Sequence, residues 1–410
     1  MAVLSLAFLG YFARVLPKPV LGFIGVQAAL VVLAKIAVDL GLHFQVLREA
    51  TPLFQAGREA EAVERVVAPA TLLRLAAAFA LAGLIVAVGY AFADTLQDAV
   101  PEMNIRLALP FACGHILFKI GQHVLTPIFH ARGEFWLDSV LDSGSATVEK
   151  IFAFAFFTVA GVDHFFTGMM VGQIVTLALA AWFLRRTIRR FRLSHLTLVG
   201  AAERVRRAFP HYQRVLYRRG LRQVDRLFVA GMLPMTQMAN YHVARQGTQF
   251  LRYVVRSLAD PVTQRLAAAD WPHGHRRDHR VYHTIVIAVP LAVAAASPWL
   301  IRALGGAAYA DSWDLMAALA VSFIFYGLSE YQLSVLAILG DGSEPVHIEA
   351  VSGVVGLVAT AAMIAWMGEI GAAAGRIVQF LLLYLGGRVV TRRLLAGARA
   401  QAEAEAAERR

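Results

Sequence analysis

A single cysteine, Cys113, excludes an intrachain disulfide and any metal site built on a cysteine cluster, and it reads as packing in the fourth helix. Charge is also scarce: Asp, Glu, Lys and Arg make up 16% of the chain, against 58% hydrophobic residues and a mean hydropathy of +0.58. That balance excludes an ordinary soluble protein. Clustered Asp-x-Asp acids of the glycosyltransferase kind are missing, and Asp138 and Asp142, four apart on a helix, read as structural. His273, His275 and His279 are loosely spaced among arginines, without acidic or cysteine co-ligands, and read as a solvated loop rather than a zinc site. Met1–Val15 has no basic n-region and no clear cleavage site, so it does not read as a secretory signal. This first segment is short, which leaves a missing or misplaced start open. The net charge of +11 comes with no nucleic-acid-binding motif.

What the chain does have is long uncharged stretches. Leu75–Ala93, Phe165–Leu184, Thr284–Ile301 and Ala350–Gly368 are each long enough to cross a bilayer. Twelve hydrophobic segments are expected, beginning near residues 3, 20, 68, 105, 135, 165, 208, 235, 278, 312, 345 and 370. The charges then sort by loop. Arg185, Arg186, Arg189, Arg190 and Arg192 follow the sixth segment, and Arg204, Arg206 and Arg207 precede the seventh. Arg265, Arg276, Arg277 and Arg280 flank the loop after the eighth, and Arg392, Arg393 and Arg399 follow the twelfth. Asp94, Asp98, Glu102, Asp163, Asp311, Asp314 and Glu369 fall in the alternate loops. With twelve crossings every basic loop lies on one side, and the positive-inside rule makes that side cytoplasmic, with both termini inside. The same loops can touch anionic lipid headgroups.

The stretch with the most chemistry is Met235–Asp260, read as one membrane-crossing helix about 39 Å long. His242, Arg245, Gln249, Arg252 and Arg256 share one face of it by spacing, with Val243, Phe250, Leu251 and Val254 opposite. An arginine at the membrane midplane costs roughly 2.5–3.5 kcal/mol on an insertion scale. Lipid exposure of Arg245 and Arg252 is therefore excluded, and the stripe must face water, a partner or an anionic ligand. The alternative is that these arginines pair with acids such as Asp225 or snorkel to the surface, Arg256 foremost. The second helix carries its own stripe, Lys35, Asp39 and His43, in which Lys35 can pair with Asp39 either structurally or functionally. In the fourth helix His115, Lys119, Gln122 and His123 share roughly one face, as inter-helix hydrogen bonding requires.

The two halves repeat. Leu16-Pro17 recurs at Leu233-Pro234, and Gly89–Thr95 (GYAFADT) at Gly306–Ser312 (GAAYADS). Gly133 and Ser143-Gly144 recur at Gly342 and Ser352-Gly353, and Gly168–Val175 (GMMVGQIV) at Gly371–Val378 (GAAAGRIV). The order never breaks. The reading is an all-α integral membrane protein of about twelve transmembrane helices in two parallel six-helix repeats. Its parts are residues 1–192 as N-terminal lobe, 193–207 as cytoplasmic linker, 208–397 as C-terminal lobe and 398–410 as charged cytoplasmic tail. Two such bundles leave a cleft between them, which the stripes of helices two and eight should face. The Gly-x-x-x-Gly pair in each repeat permits close helix approach.

Several of these residues carry a family resemblance. Arg14-Val-Leu-Pro17, Gly22-Phe23 and Asp39-Leu-Gly-Leu42 resemble the first two helices of polysaccharide flippases. Asp225–Gly231 (DRLFVAG), Tyr241, Ala244 and Pro261 resemble the corresponding part of the second half. Leu304–Tyr309 (LGGAAY) and Leu339–Gly342 (LGDG) fit the ninth to eleventh helices. The chain is thus similar to the O-antigen and oligosaccharide flippases, in the superfamily that also holds multidrug antiporters and lipid II flippases. The resemblance implies a V-shaped, two-lobe transporter that moves a polyprenyl-linked oligosaccharide of lipopolysaccharide or polysaccharide biosynthesis across the cytoplasmic membrane, with a cationic cavity and no enzymatic step or cofactor. Lipid II flippases follow a fourteen-helix pattern and rank lower. Bidentate arginine suits a substrate phosphate or diphosphate. Arg245 and Arg252 are its expected ligands, with Arg14 and Arg256 as further candidates; Gln249, His242 and Tyr241 would bond sugar hydroxyls or the arginines. Asp225 would hold an arginine or join Asp39 and Glu330 in H+ or Na+ coupling. A multidrug antiporter is the alternative, although organic cations call for an acidic cavity.

Overall fold

The computed structural model describes the backbone of residues 2–192, 198–268, 275–339 and 344–408. Within these it describes the side chains of all but residues 2, 3, 5, 198, 199, 214, 260, 262–268, 275–279, 337–339, 344, 395 and 397–408. The side chains of His275, His279, Arg265, Arg276, Arg277 and the 398–410 tail, and the whole of His273 and Gly342, lie outside the described residues; the backbone of 275–279 opens a helix, so that part of the expected histidine loop is helical instead. Among the described residues every regular element is a helix.

The chain forms two compact units, residues 1–8 with 16–223, and residues 9–15 with 224–410. Residues 208–223 pack with the first unit rather than the second, and residues 9–15 with the second. The first unit starts from α1 (Ala2–Val15), α2 (Lys18–Asp39) and α3 (Leu42–Gln55). The short α4 (Glu59–Ala62) runs through a π-turn into α5 (Ala68–Ala91), followed by α6 (Ala93–Ala99) and α7 (Ile105–Ala131). Then come α8 (Phe135–Ala160), α9 (Phe165–Phe183), α10 (Arg185–Ile188) and α11 (Leu198–Val215). The second unit is made of α12 (Leu221–Met232, whose first turn falls in the first unit), α13 (Met235–Thr248), α14 (Phe250–Ala268), α15 (His275–Gly305), α16 (Trp313–Leu339), α17 (Glu344–Met367) and α18 (Glu369–Glu408).

Seven of these helices are long and apolar enough to cross a membrane: α2, α4 with α5, α9, α15, α16, α17 and α18. The other expected crossings fall on α1, which is short, and on α7, α8, α11–α12 and α13–α14. Apart from α1, these carry the buried polar side chains described below, which lowers their hydropathy. Large apolar side chains are exposed in both units: Trp366 is 83% exposed, Trp299 72% and Phe79 63%. Large apolar side chains exposed in this number suit a lipid surrounding.

The internal repeat is visible in backbone detail. Pro17 (φ −55°, ψ 144°) precedes α2 and Pro234 (φ −57°, ψ 150°) precedes α13, in the same extended conformation. In the first unit Gly168 and Gly172 of α9 lie directly on α8, at the Phe152 carbonyl and the Glu149 backbone. In the second unit Gly371 and Gly375 of α18 lie on α17 in the same way, at the Met363 carbonyl and Thr360. The corner repeats less closely, because Gly306 takes φ +74° before a 3-10 turn, Ala307–Ser312, whereas Gly89 sits inside α5.

The expected continuous helix over 235–260 is broken. Residue 249 separates α13 from α14, and three-residue turns close the break, Gln249 N to Gln246 O at 3.2 Å and Arg252 N to Gln249 O at 3.1 Å. Gln249 keeps helical backbone angles (φ −62°, ψ −27°), and Thr248 Oγ1 donates back to the Arg245 carbonyl at 3.0 Å, a local bond that competes with the helical ladder. Spacing alone assumed an unbroken 3.6-residue period.

Candidate functional site

In the second unit the polar chemistry converges on Asp225 of α12. Its Oδ2 accepts from Tyr241 OH at 2.6 Å, Arg245 Nη1 at 2.6 Å and Arg376 Nη1 at 2.8 Å. Its Oδ1 accepts from Arg245 Nη1 at 2.7 Å and from the Arg226 backbone N–H at 2.9 Å. Asp225, Arg226, Tyr241, His242, Arg245 and Arg376 are all buried. Three elements build the site: α12 supplies the carboxylate, α13 presents Tyr241 and Arg245 one turn apart, and α18 supplies Arg376. The Arg376 guanidinium also lies 5.4 Å from the Phe380 ring centre, so an aromatic face supports its far side. Arg226 has Arg245 and Arg376 among its charged neighbours. Two guanidiniums therefore share one carboxylate, with a third in its field.

The structure joins some of the residues picked from sequence and separates others. Tyr241, Arg245 and Asp225 come together, so Arg245 pairs with the acid named as its alternative partner. His242 is buried beside Arg226 and Arg245, and its Nδ1 has no hydrogen-bond partner among the described residues. Gln249 sits at the break, Arg252 is half-buried beyond it, and Arg256 is exposed. Arg14 is exposed and donates from Nη2 to the Ala303 carbonyl at 2.7 Å. That carbonyl lies in the last turn of α15, where a cation satisfies a terminal acceptor and meets the negative end of the helix dipole. Arg376 was not singled out from sequence. Its signal was present in the repeat comparison: GRIV in the second half stands where the first has GQIV, so Arg376 matches Gln173.

The first unit has a different polar interior. Asp39 pairs with Arg74 of α5 at 2.9 Å. The expected Lys35–Asp39 pair is not the one formed, because a fully buried guanidinium from a neighbouring helix takes the carboxylate. Arg74 also donates to the Val124 and His123 carbonyls of α7, at 3.2 and 3.4 Å. Lys35 sits in the field of Lys119, Asp142, Glu149 and Asp138. His115, Lys119 and Gln122 join inter-helix hydrogen bonds. Lys119 Nζ donates to Glu149 Oε1 and Ser145 Oγ, both at 2.5 Å. His115 shares hydrogen bonds with Glu149 at 3.2 Å and Gln27 at 2.8 Å. Gln173 Nε2 donates to Gln122 Oε1 at 2.8 Å. Asp138 pairs with His130 at 2.9 Å. The first unit thus pairs Arg74 and Lys119 with acids of other helices, while in the second two arginines meet at Asp225.

The sequence matches no protein-family model and no curated protein sequence. Solved structures do match it along nearly its whole length. One is an inward-facing multidrug resistance transporter of the MATE family in the MOP superfamily, at 15% identity over 97% of this chain and 96% of that one, with a TM-score of 0.74. Another is the lipid II flippase MurJ in an inward closed conformation, at 14% identity over 97% and 85%, with a TM-score of 0.69. A eukaryotic MATE transporter follows at 16% identity over 98% and 94%, with a TM-score of 0.62. These similar structures are transporters and a flippase rather than enzymes. The chain has the multi-pass membrane fold of MOP-superfamily transporters.

Proposed function

We propose that this chain is a flippase that moves a lipid-linked oligosaccharide, carried on a polyprenyl phosphate or diphosphate, across the cytoplasmic membrane by alternating access. One observation carries the reading: among the described residues the buried Arg245 and Arg376 both pair with Asp225, and a third buried arginine, Arg226, lies in the field of all three. Taking an ion out of water carries a penalty of several kcal/mol, so a buried excess of arginine is retained where an anion is handled. A phosphate or diphosphate supplies that anion and matches the planar guanidinium fork. Tyr241 and His242 border the arginines and suit sugar hydroxyls, and the lipid tail stays in the bilayer. The basic loops face the cytoplasm with both termini, as the positive-inside rule requires. This assigns the chain to O-antigen or related polysaccharide export, with H+ or Na+ as coupling ion.

The test is flipping of a fluorescent lipid-linked oligosaccharide in proteoliposomes. Wild type should transport it, and the Arg245→Ala/Arg376→Ala double variant should fall to the rate of empty liposomes. Transport by that folded variant at the wild-type rate would sink the arginine site. Arg252→Ala, outside the Asp225 cluster, should lose much less than Arg245→Ala; an equal loss would return the site to the stripe drawn from spacing.

A second reading, a cation-coupled multidrug antiporter, rests on the similarity to the MATE-family structure. It predicts export of a cationic dye instead. Three arginines about one carboxylate repel such a substrate by simple Coulomb interaction, which places this reading second.

A further inference from the structure

The geometry points to Asp225 as a built-in substitute for the substrate's phosphate, which the incoming phosphate or diphosphate displaces from Arg245 and Arg376. This rests on the anion-handling reading above and goes beyond it, since it identifies what occupies the arginines when no substrate does.

The argument begins with saturation. Both oxygens of Asp225 are fully engaged, accepting from Tyr241 OH, Arg245 Nη1, Arg376 Nη1 and the Arg226 N–H. The donors around it are not. Arg226 Nε and Arg376 Nε have no hydrogen-bond partner among the described residues, nor has His242 Nδ1, which donates in one tautomer. Their side chains belong to residues only 3%, 7% and 4% exposed, so bulk water does not supply the missing bonds. One carboxylate thus holds two guanidiniums, borders a third, and leaves nitrogen atoms on the same groups unused. It brings two oxygens and one negative charge. A diphosphate brings more of both, enough for the donors Asp225 satisfies and for those it leaves. A site that served only to hold α12, α13 and α18 together would need one arginine per acid.

Displacement also solves a problem that an empty arginine site would have. Buried guanidiniums without a counter-ion repel each other and oppose folding. With Asp225 seated, the unit is stable before substrate arrives. With phosphate seated, the carboxylate is released. Substrate and Asp225 therefore compete for Arg245 and Arg376, and removing the carboxylate should strengthen binding of a small anion.

The experiment compares full-length wild type with Asp225→Asn in detergent, using inorganic diphosphate as the probe and sodium chloride at equal ionic strength as the control. Melting temperature and diphosphate affinity are both read. Asp225→Asn should melt below wild type without anion, recover most of that loss in diphosphate but not in chloride, and bind diphosphate at least tenfold more tightly. Asp225→Asn/Arg376→Gln should lose that gain. Equal or weaker diphosphate binding by folded Asp225→Asn overturns the proposal, as does equal rescue by chloride. Where Asp225→Asn yields no folded protein in either salt, Arg376→Gln decides: its diphosphate affinity should fall at least tenfold below wild type, and unchanged affinity overturns the proposal.

Repeating the measurement in nanodiscs with a polyprenyl diphosphate, and separately with phosphatidylglycerol, distinguishes a lipid-borne diphosphate from an ordinary phospholipid headgroup. The two readings fail separately. Tightened diphosphate binding in Asp225→Asn without flipping by wild type removes the flippase and keeps the displacement. Flipping by wild type with no tightening removes the displacement alone.

Discussion

Asp39→Ala should destabilise the first unit by about 3–5 kcal/mol, the usual effect of breaking one partner out of a buried ion pair. Arg74 is 1% exposed and its guanidinium pairs with Asp39 at 2.9 Å. Without the carboxylate, a buried positive charge is left with two backbone carbonyls, those of Val124 and His123, which offset only part of its desolvation. Arg74 links α5 to α2 through Asp39 and to α7 through these carbonyls, so the loss spreads over three helices. The double variant Asp39→Leu/Arg74→Met should recover most of the stability, since well-packed apolar replacements of buried pairs are often neutral. The measurement is thermal or denaturant unfolding in one detergent, taken as a double-mutant cycle. If the double variant were as unstable as Asp39→Ala, Asp39 and Arg74 would be acting independently. If it were stable but failed to transport, Asp39 would have a role in ion coupling beyond holding Arg74.

That pair shows what could be read from sequence and what could not. Helical spacing placed Lys35 and Asp39 on one face and made them natural partners, because residues four apart are neighbours on any helix. The partner actually taken, Arg74, is on another helix near the start of an apolar run, and no local rule links the two positions. Long-range pairing wins because a fully buried guanidinium gains more from a carboxylate than a half-buried lysine does. The break at residue 249 was hidden for a related reason. His242, Arg245, Gln249, Arg252 and Arg256 keep a helical period in sequence whether or not the hydrogen-bond ladder keeps it, and the three-residue turns at Gln249 leave no mark on that period.

Patterns that repeat were easier. An apolar run long enough to span a bilayer has few alternatives to a helix, so most of the hydrophobic segments are found where composition put them. The prolines and paired glycines recur because both repeats need the same extended entry and the same close contact. Where the repeats diverge, the divergence is itself informative: Gln173 in the first unit bonds Gln122 and Ser145 beside the Lys119–Glu149 pair, while Arg376 at the matching position reaches the acid directly.

The paired glycines give the other large expected effect, and here the sign depends on position. A Cβ at Gly168 would run into the Phe152 carbonyl, and one at Gly371 into the Met363 carbonyl. Both obstacles are backbone, so neither can swing aside, and the helices must separate. Overpacking of this kind costs about 1–3 kcal/mol and occasionally more. At Gly83 and Gly144 a Cβ meets nothing within 4 Å. There alanine should stabilise by up to about 1 kcal/mol, the difference in helix propensity. Gly168→Ala and Gly371→Ala should therefore lower the melting temperature while Gly83→Ala and Gly144→Ala leave it unchanged or raise it. Each damaging variant should act on its own unit, and hydrogen exchange can read this by locating the lost protection on α8 and α9 for Gly168→Ala and on α17 and α18 for Gly371→Ala. A uniform response at all four positions would mean that composition, not close helix contact, explains these glycines. Opposite signs, with matching losses at Gly168 and Gly371, would tie the sequence repeat to one packing solution used twice.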